Sequence, residues 1–334
     1  MVMMCLYLMF MGQIRKTAAT AVEAGRMKNV EVVLPDETVQ PEPEQETGAV
    51  STPELAPEPM ALSMPEESYA PLPRPDETES REQVQETTIS GGLSIKNETS
   101  YSVDMAAVLE GGPQVRLAAG EPQILLIHTH SSEAYTPAGL DRYEASDTNR
   151  TEDTEYNIVR VGDELTALLQ QAGLNVIHDR EIYDYPSYTG SYERSGAAVQ
   201  SYLEQYPGIA VVIDMHRDAL GANGVVYKTM AEESGVCASQ VMLLVGTDDS
   251  GLYHPNWRSN LSLALYLQNA VSAVHPTLMR PVSLVQQRYN QHLTGGSLIL
   301  EVGSSGNTLQ EALAAIRLFA GAAAPALLAL TEQG

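Results

Sequence analysis

Three segments of the chain combine an apolar run with histidine or carboxylate side chains. They are ILLIHTHSSE, beginning at Ile124, IAVVIDMHRD, beginning at Ile209, and LILEVG, beginning at Leu298. Short apolar runs of this kind are typical of strands buried on both faces of a parallel sheet. Ligand crevices in open α/β sheets lie at the carboxyl ends of such strands. We therefore expect the polar residues of the three segments to meet at one edge of a sheet.

The side chains at these strand ends could form a hydrolytic zinc site. Catalytic zinc uses three imidazole or carboxylate ligands and keeps one position open. We predict His130, Glu133 and His216 as the ligands, because a His-x-x-Glu segment supplies two of them. Glu301 is the predicted carboxylate that takes a proton from water and passes it to the leaving nitrogen. The alternatives are hydrogen-bonded structural histidines, a role for Glu133 in capping the following segment, and a buried ion pair of Glu301 with an arginine such as Arg217.

Further polar residues accompany these four. Because side chains alternate along a strand, we expect His128 and His130 to point the same way, with His128 supporting His130 or replacing it as a ligand. Arg217, Asp218 and Asn307 are predicted to bind the substrate or to support the ligands. Four tyrosines could form a wall for sugar rings or pack in the core: Tyr183, Tyr185, Tyr188 and Tyr192.

The apolar pattern from residue 88 onward predicts the domain that positions these residues. Strand-like runs alternate with segments of helical period, which is typical of α/β proteins. The clearest helix begins at Ile158 and ends before Gly173, and an Ala-rich helix covers residues 309–330. We therefore predict an α/β fold with a mostly parallel sheet flanked by helices, over residues 88–334.

The residues before this domain have a different composition. Between residues 35 and 87 there are 14 Asp or Glu and two Arg, and ten of the 19 prolines lie there. Such a segment cannot bury enough apolar surface to offset the entropy of ordering, so residues 15–87 are predicted to be a disordered Pro/Glu-rich linker. The apolar run 2–11 predicts part of a signal-anchor over residues 1–14.

Composition and motifs exclude several classes of function. The net charge is −24 and no basic cluster occurs, which argues against nucleic-acid binding. The two cysteines form neither a disulfide framework nor a Cys-x-x-Cys motif. No Gly-x-Ser-x-Gly elbow, dinucleotide fingerprint or P-loop occurs in the chain.

Five ordered segments of the chain resemble one protein family. They are ILLIHTHSSEAYTP, YNIVRVGDEL, DYPSYTGSYERS, VVIDMHRDA and LILEVGSSGNTLQEA, beginning at Ile124, Tyr156, Asp184, Val211 and Leu298. Together they are similar to the stage II sporulation protein P family, over the region from Ile124 to the C-terminus. That family is similar in fold to zinc-dependent N-acetylmuramoyl-L-alanine amidases and carboxypeptidases.

The resemblance implies a zinc-dependent peptidoglycan hydrolase acting in engulfment during sporulation. It would cleave the amide between muramic acid and L-alanine, with peptide cross-links as a second target. The resemblance also implies an N-terminal anchor in the cell membrane and a catalytic domain outside the cytoplasm. The implied partners are peptidoglycan, the stage II D transglycosylase and the stage II M membrane protein.

The same resemblance bears on the site residues. It places the histidines of the family on His130 and His216, and the catalytic glutamate on Glu301. In the related amidases a glutamate opens the helix after the first strand, which here would be Glu152 or Glu155. The His-x-x-Glu spacing instead favours the glutamate three residues after the first histidine, so both choices stay open.

Two functions of other classes fit the same residues. A zinc carboxypeptidase or other peptidase uses the same ligand types. A wall-binding or scaffold protein that has lost its metal would keep the fold without the chemistry. The intact histidines and glutamate of the three segments argue against the second alternative.

Overall fold

The computed structural model describes residues 83–89, 92–222, 225–233 and 235–331. The predicted signal-anchor and residues 15–82 of the predicted linker lie outside these residues. The strands are β1 Gln83–Thr87, β2 Ile95–Asn97, β3 Ile124–Ile127, β4 Val176–His178, β5 Val211–Asp218, β6 Gly221–Ala222, β7 Val225–Thr229, β8 Ala231–Glu233, β9 Val236–Ala238, β10 Val241–Gly246, β11 Val282–Val285 and β12 Ser297–Ser304. The helices are α1 Met105–Gly111, α2 Ile158–Gln171, α3 Ser191–Gln205, α4 Trp257–Val274 and α5 Leu309–Leu328, with one turn of 3₁₀ helix at Gln291–Leu293.

A seven-stranded sheet forms the centre of the fold, in the order β2-β11-β10-β12-β5-β3-β4. Its neighbouring strands are parallel except for the pair β10 and β12, which is antiparallel. The predicted mostly parallel α/β sheet flanked by helices is therefore confirmed. The antiparallel pair divides the sheet into two blocks, so β12, β5, β3 and β4 all have their carboxyl ends at one edge.

Helices cover both faces of the sheet, and the alternation of side chains along β3 and β5 explains why. Leu126 and Met215 face the larger apolar layer, to which α2, α4 and α5 contribute. Leu125 and Val212 face a smaller layer, in which Val199 of α3 packs against them. The two faces at the carboxyl edge are therefore bordered by different helices, α2 on one and α3 on the other.

Local signals define the starts of the helices that flank this edge. The side chain of Asn157 accepts a hydrogen bond from the backbone N–H of Val159 and caps α2. Thr308 and Glu311 form a reciprocal capping box at the start of α5. These caps define the first residues of α2 and α5.

Helix α5 is long and apolar enough to cross a membrane by composition alone, and within the described ranges no other helix is. Its residues Leu313, Ile316 and Phe319 are buried in the larger apolar layer. A buried core helix of this composition passes the same test, and its packing identifies α5 as part of the core.

One strand lies where the sequence predicts linker. Strand β1 pairs in parallel with β7, in a small sheet of order β1-β7-β6. Residues 83–87, within the predicted linker, therefore form a strand. Composition missed β1 because its sequence, QVQET, is polar and its partner strand lies about 140 residues away.

Candidate active site

The three segments singled out in the sequence meet at the shared carboxyl edge of β3, β5 and β12. Glu301 on β12 lies opposite His216 on β5 in the parallel register, so both side chains lie on the same face of the sheet. The chain leaves β3 after Ile127 and brings His130 beside β5. The ring centroids of His130 and His216 are 5.1 Å apart.

His216 is buried between two carboxylates. Its Nδ1 lies 3.4 Å from Oε2 of Glu133, and its Nε2 lies 3.0 Å from Oδ1 of Asp214. The second contact has no hydrogen-bond geometry, so Nε2 has no hydrogen-bond partner. Burial would lower the pKa of His216, but the two carboxylates outweigh it and raise the pKa well above its usual value. The imidazole of His216 therefore favours its charged form, which balances these acids.

Glu133 is a charged carboxylate in the turn that follows β3. Its Oε2 accepts a hydrogen bond from the backbone N–H of Arg217 at 3.1 Å, and its Oε1 lies 3.5 Å from Nη2 of Arg150. Burial opposes the charge, but the hydrogen bond with His216 and the charge of Arg217 lower the pKa to about 2. Glu133 is therefore anionic at neutral pH, as a carboxylate ligand must be.

His130 is buried and neutral. Its Nδ1 lies 3.4 Å from Oγ of Ser191, and its Nε2 lies 3.0 Å from the hydroxyl of Tyr188. Burial, with the charge of His216, lowers the pKa of His130 to about 4. The two buried histidines thus differ in charge, because only one of them lies against two carboxylates.

The pKa of Glu301 is raised, whereas the pKa of Glu133 is lowered. Oε2 of Glu301 is buried and has no hydrogen-bond partner. Burial raises its pKa to about 8, against the lowering effect of His216 and with the help of the negative charge of Asp218. The predicted alternative of an ion pair with Arg217 does not occur: the guanidinium of Arg217 donates to the backbone oxygens of Ala134 and Asn149. Glu301 is thus a carboxyl group that can hold a proton near neutral pH.

The residues present fit a zinc ion in type and in neighbourhood. Two imidazoles and a carboxylate meet at one edge, which is a common ligand set of catalytic zinc. Nε2 of His216 is buried and lacks a hydrogen-bond partner, as expected of a nitrogen that binds a metal ion. Over the described residues, however, no three His, Cys, Asp or Glu side chains form a ready metal cluster. The hydroxyl of Tyr188 lies 3.0 Å from Nε2 of His130.

His128 lies on the other side of the sheet from His130, so the expectation that they point the same way is wrong. Nδ1 of His128 lies 3.2 Å from the backbone oxygen of Met215, and its Nε2 lies 2.8 Å from Nε2 of His178. The chain turns after Ile127, so the alternation of a strand does not extend to His130. With both ring nitrogens in use, His128 supports β5 and is not free to bind a metal.

This histidine pair leads to a prediction about α2. A Cβ atom at Gly162 would lie 2.6 Å from Nε2 of His128 and 2.7 Å from Nε2 of His178. We expect Gly162→Ala to lower the free energy of unfolding by about 1–3 kcal/mol, although alanine favours helices. Gly321→Ala in α5 is the matched control, because nothing lies within 4 Å of its added Cβ. It should stabilise the protein by about 0.5–1 kcal/mol. Urea unfolding of both variants measures this, and equal stabilisation would contradict it.

The acidic residues near α2 lie differently from Glu133. Glu152 and Glu155 are exposed in the segment before that helix. Glu133 is 5% exposed and directly contacts His216. The geometry therefore favours Glu133 over Glu152 and Glu155 as the third ligand, beside the two histidines. The assignment stays a prediction until metal binding is measured.

Aromatic rings close the side of the site next to α3. The ring of Tyr192 lies 5.3 Å from that of His130 and 5.4 Å from that of Tyr289. It is also stacked 6.5 Å from the ring of His216. Tyr183, in contrast, donates its hydroxyl hydrogen bond to Asp179 away from the histidines.

The family model of Stage II sporulation protein P matches residues 34–324. This chain belongs to the stage II sporulation protein P family. The resemblance seen in the five sequence segments is therefore confirmed.

One curated member of the family comes from Bacillus subtilis strain 168. The "Stage II sporulation protein P" of that organism is 26% identical over 210 residues, which are 60% of this chain and 49% of the relative. This chain thus matches about half the length of its curated relative. The residues of the site described above lie within the residues that the family model covers.

Two solved amidases have partial similarity to this chain. The N-acetylmuramoyl-L-alanine amidase AmiC2 of Nostoc punctiforme is 14% identical, with a TM-score of 0.36 over 62% of this chain and 96% of that one. The CwlD amidase of Clostridioides difficile, solved in complex with the GerS lipoprotein, is 13% identical, with a TM-score of 0.34 over 60% of this chain and 95% of that one. Similarity at this level does not define a function.

The three residues predicted to bind the substrate or to support the ligands make different contacts in the structure. Arg217 is buried and braces Glu133. Asp218 lies further along the face of His216 and pairs with Arg280 at 2.8 Å. Asn307 is fully buried, and its side chain bonds to Ser304, Thr229 and Glu311, so its amide is committed to holding β12, β7 and α5 together. These contacts support the site. The side-chain nitrogen of Asn307 donates to the backbone oxygen of Thr229 and to Glu311, so it has no free hydrogen for a substrate.

Sequence reasoning gave no role to three residues of the site. Asp214 lies two residues before His216 on β5, and the period of a strand would have placed both on one face. Arg150 and Tyr289 come from loops, where no local pattern indicates which element the side chain will reach.

Proposed function

We propose that this chain is a zinc-dependent hydrolase of cell-wall peptidoglycan that cleaves the amide between N-acetylmuramic acid and L-alanine. The observation that carries the proposal is the meeting of His130, Glu133 and His216 beside Glu301, a carboxyl group whose burial raises its pKa to about 8. The peptidoglycan substrate follows from the resemblance to the stage II sporulation protein P family. Action during sporulation agrees with membership of that family.

In this proposal His130, Glu133 and His216 hold the zinc ion. When bound, zinc supplies Lewis-acid polarisation of the scissile carbonyl and activation of water. Asp214, on the same strand, lies 3.0 Å from Nε2 of His216 and adds a second negative charge beside the site. Arg217 and Arg150 hold the carboxylate of Glu133 in its charged form. To hold the ion, His216 would have to be in the neutral form that a histidine ligand requires.

Glu301 moves the proton of the reaction. It takes one proton from the attacking water, and the carbon–nitrogen bond of the amide then breaks. The same proton passes to the leaving nitrogen, which becomes the amino terminus of L-alanine. The lactyl group of muramic acid keeps the carbonyl carbon and gains the hydroxyl of water as a carboxylic acid, which at neutral pH gives its proton to the released amine and becomes a carboxylate. A carboxyl group whose pKa lies near the working pH suits both halves of this transfer.

The cell-surface setting and the partners remain proposals. Anchoring in the cell membrane depends on residues 1–14, which lie outside the described residues. A long acidic linker would let the domain reach the wall. Engulfment as the setting, cleavage of cross-links, and cooperation with the stage II D transglycosylase and the stage II M membrane protein follow from the resemblance alone.

Product analysis of purified peptidoglycan tests this function. The proposal predicts stem peptides with a free L-alanine amino terminus and glycan strands with free lactyl carboxylates, and it predicts that a chelator abolishes both. A zinc peptidase would instead leave muramic acid substituted and open cross-links. A wall-binding protein would give no products while still sedimenting with the wall.

A further inference from the structure

One residue beside the site has a backbone conformation that bulky residues rarely adopt. Tyr289 has a φ angle of 51°, which lies in the left-handed region. Within the described residues, Asn149 is the only other non-glycine residue with a positive φ, and asparagine tolerates this region far better than tyrosine. Strain of this kind is found mainly where a side chain has a function. Tyr289 is therefore a candidate for a functional side chain.

The residues that follow Tyr289 hold the chain in this conformation. The side-chain nitrogen of Asn290 donates to the backbone oxygen of Tyr192 in α3 at 2.9 Å. The side-chain oxygen of Gln291 accepts from the backbone N–H of Gly246 in β10 at 2.7 Å, and its nitrogen donates to another backbone oxygen of the same strand. The loop between β11 and β12 is thus attached to β10 on one side and to α3 on the other.

The ring of Tyr289 lies among the groups of the site. It is 5.4 Å from the ring of Tyr192, which in turn lies 5.3 Å from the ring of His130 and 6.5 Å from that of His216. Burial raises the pKa of Tyr289, the negative charge of Glu301 adds to the rise, and the charge of His216 opposes it. Because such effects weaken with distance, the phenol lies near both of these groups.

The hydroxyl of Tyr289 is available as a hydrogen-bond donor. The side chain is partly exposed, and in the described part of the chain its hydroxyl makes no hydrogen bond. Since its pKa is raised, the phenol keeps its proton at neutral pH. The hydroxyl of Tyr183, in contrast, already donates to Asp179. A free donor near Glu301 is well placed to bind the atoms that react.

The proposed reaction has a use for such a donor. Negative charge develops on the oxygen of the scissile amide when water attacks its carbon, and a donor fixed beside that oxygen stabilises the charge. The amide has to lie within reach of Glu301, which passes the proton to its nitrogen. We propose that the hydroxyl of Tyr289 donates a hydrogen bond to this oxygen. This role rests on the proposed function, to which it adds a substrate-binding residue from the loop between β11 and β12.

Tyr289→Phe tests this role, because it removes the hydroxyl and keeps the ring. We expect kcat to fall about 10²–10³-fold, the usual loss for one such donor, with KM little changed because the contact strengthens in the transition state. Both constants are measured with a soluble glycan–peptide fragment of peptidoglycan. The melting temperature should stay the same, since the hydroxyl makes no hydrogen bond within the described residues that the change would break.

Tyr253→Phe is the matched control. Tyr253 is 77% exposed, and its backbone oxygen accepts a hydrogen bond from Arg288 of the same loop. Its hydroxyl makes no hydrogen bond among the residues that the structure describes, so its removal should leave kcat and KM unchanged. An equal loss of kcat in both variants would overturn the proposed role of Tyr289, because the effect would then not depend on the position of the hydroxyl.

The remaining outcomes separate this role from the proposed function. Normal kcat of Tyr289→Phe, or a raised KM at unchanged kcat, overturns the role and leaves the function intact. A melting temperature that falls together with kcat also overturns it, because the hydroxyl would then act on the fold. A parent protein that releases no peptide from peptidoglycan overturns the proposed function, and the role of Tyr289 with it.

Discussion

Glu301→Gln should bind zinc and peptidoglycan as the parent does and lose a factor of about 10²–10⁴ in turnover, the usual worth of a positioned acid–base group. Glutamine keeps the shape of the side chain but cannot accept a proton from water. The position favours this clean separation, because the side chain of Glu301 makes no hydrogen bond through Oε2 that the change would break. The measurement is the initial rate of peptide release from peptidoglycan, together with zinc content and a sedimentation assay.

Glu193→Gln is the control for this variant. Glu193 is exposed in the first turn of α3, so the same chemical change there should leave turnover unaltered. Near-normal turnover of Glu301→Gln would show that Glu301 does not transfer the proton of the reaction. Loss of zinc along with activity would make Glu301 a ligand and assign the proton transfer to another group, with Glu133 the first candidate.

His216→Ala should abolish zinc retention and hydrolysis together. His216 lies nearest the centre of the site, within 3.4 Å of Glu133 and 3.0 Å of Asp214, and its loss removes one of three ligands. Metal content after dialysis and the rate of peptide release measure the two effects. Stoichiometric, tightly held zinc in the variant would require a site built from other residues.

The substitution also removes the cation between two buried acids, so folding is checked by circular dichroism. His216→Gln, which fills more of the same space, is the second variant should the alanine form fail to fold. The control is His275→Ala at the end of α4, where the histidine contacts Glu233 at 3.5 Å, away from the site. That variant should retain zinc.

The same assay decides the third ligand. Glu133→Ala should lose zinc, because its carboxylate contacts His216 directly. Glu155→Ala should keep it, because Glu155 is exposed before α2. The reverse result would restore the position that the resemblance to the amidases suggests.

The sequence predicted the strands of the site because their apolar runs are continuous. The apolar runs beginning at Ile209 and Leu298 contain β5 and β12, whose register places His216 opposite Glu301. A strand buried on both faces has to be apolar throughout, so a single charged residue in it is conspicuous.

Features that depend on turns or on distant partners were not predictable in this way. The turn after Ile127 sends His128 and His130 to opposite sides of the sheet, and strand periodicity does not show where a strand stops. The antiparallel pairing of β10 with β12 depends on how two similar apolar runs are connected in space. Arg150 and Tyr188 reach the site from loops, which the pattern of apolar residues does not position.

The most direct test of the zinc site is its position in crystals of the zinc-loaded domain, located by anomalous scattering at the zinc edge. The account predicts one strong peak at the carboxyl edge of β3, β5 and β12. It should lie about 2.0–2.2 Å from a ring nitrogen of His130, a ring nitrogen of His216 and a carboxylate oxygen of Glu133. A peak bound by other residues, or no peak at this edge in crystals that contain zinc, would contradict it.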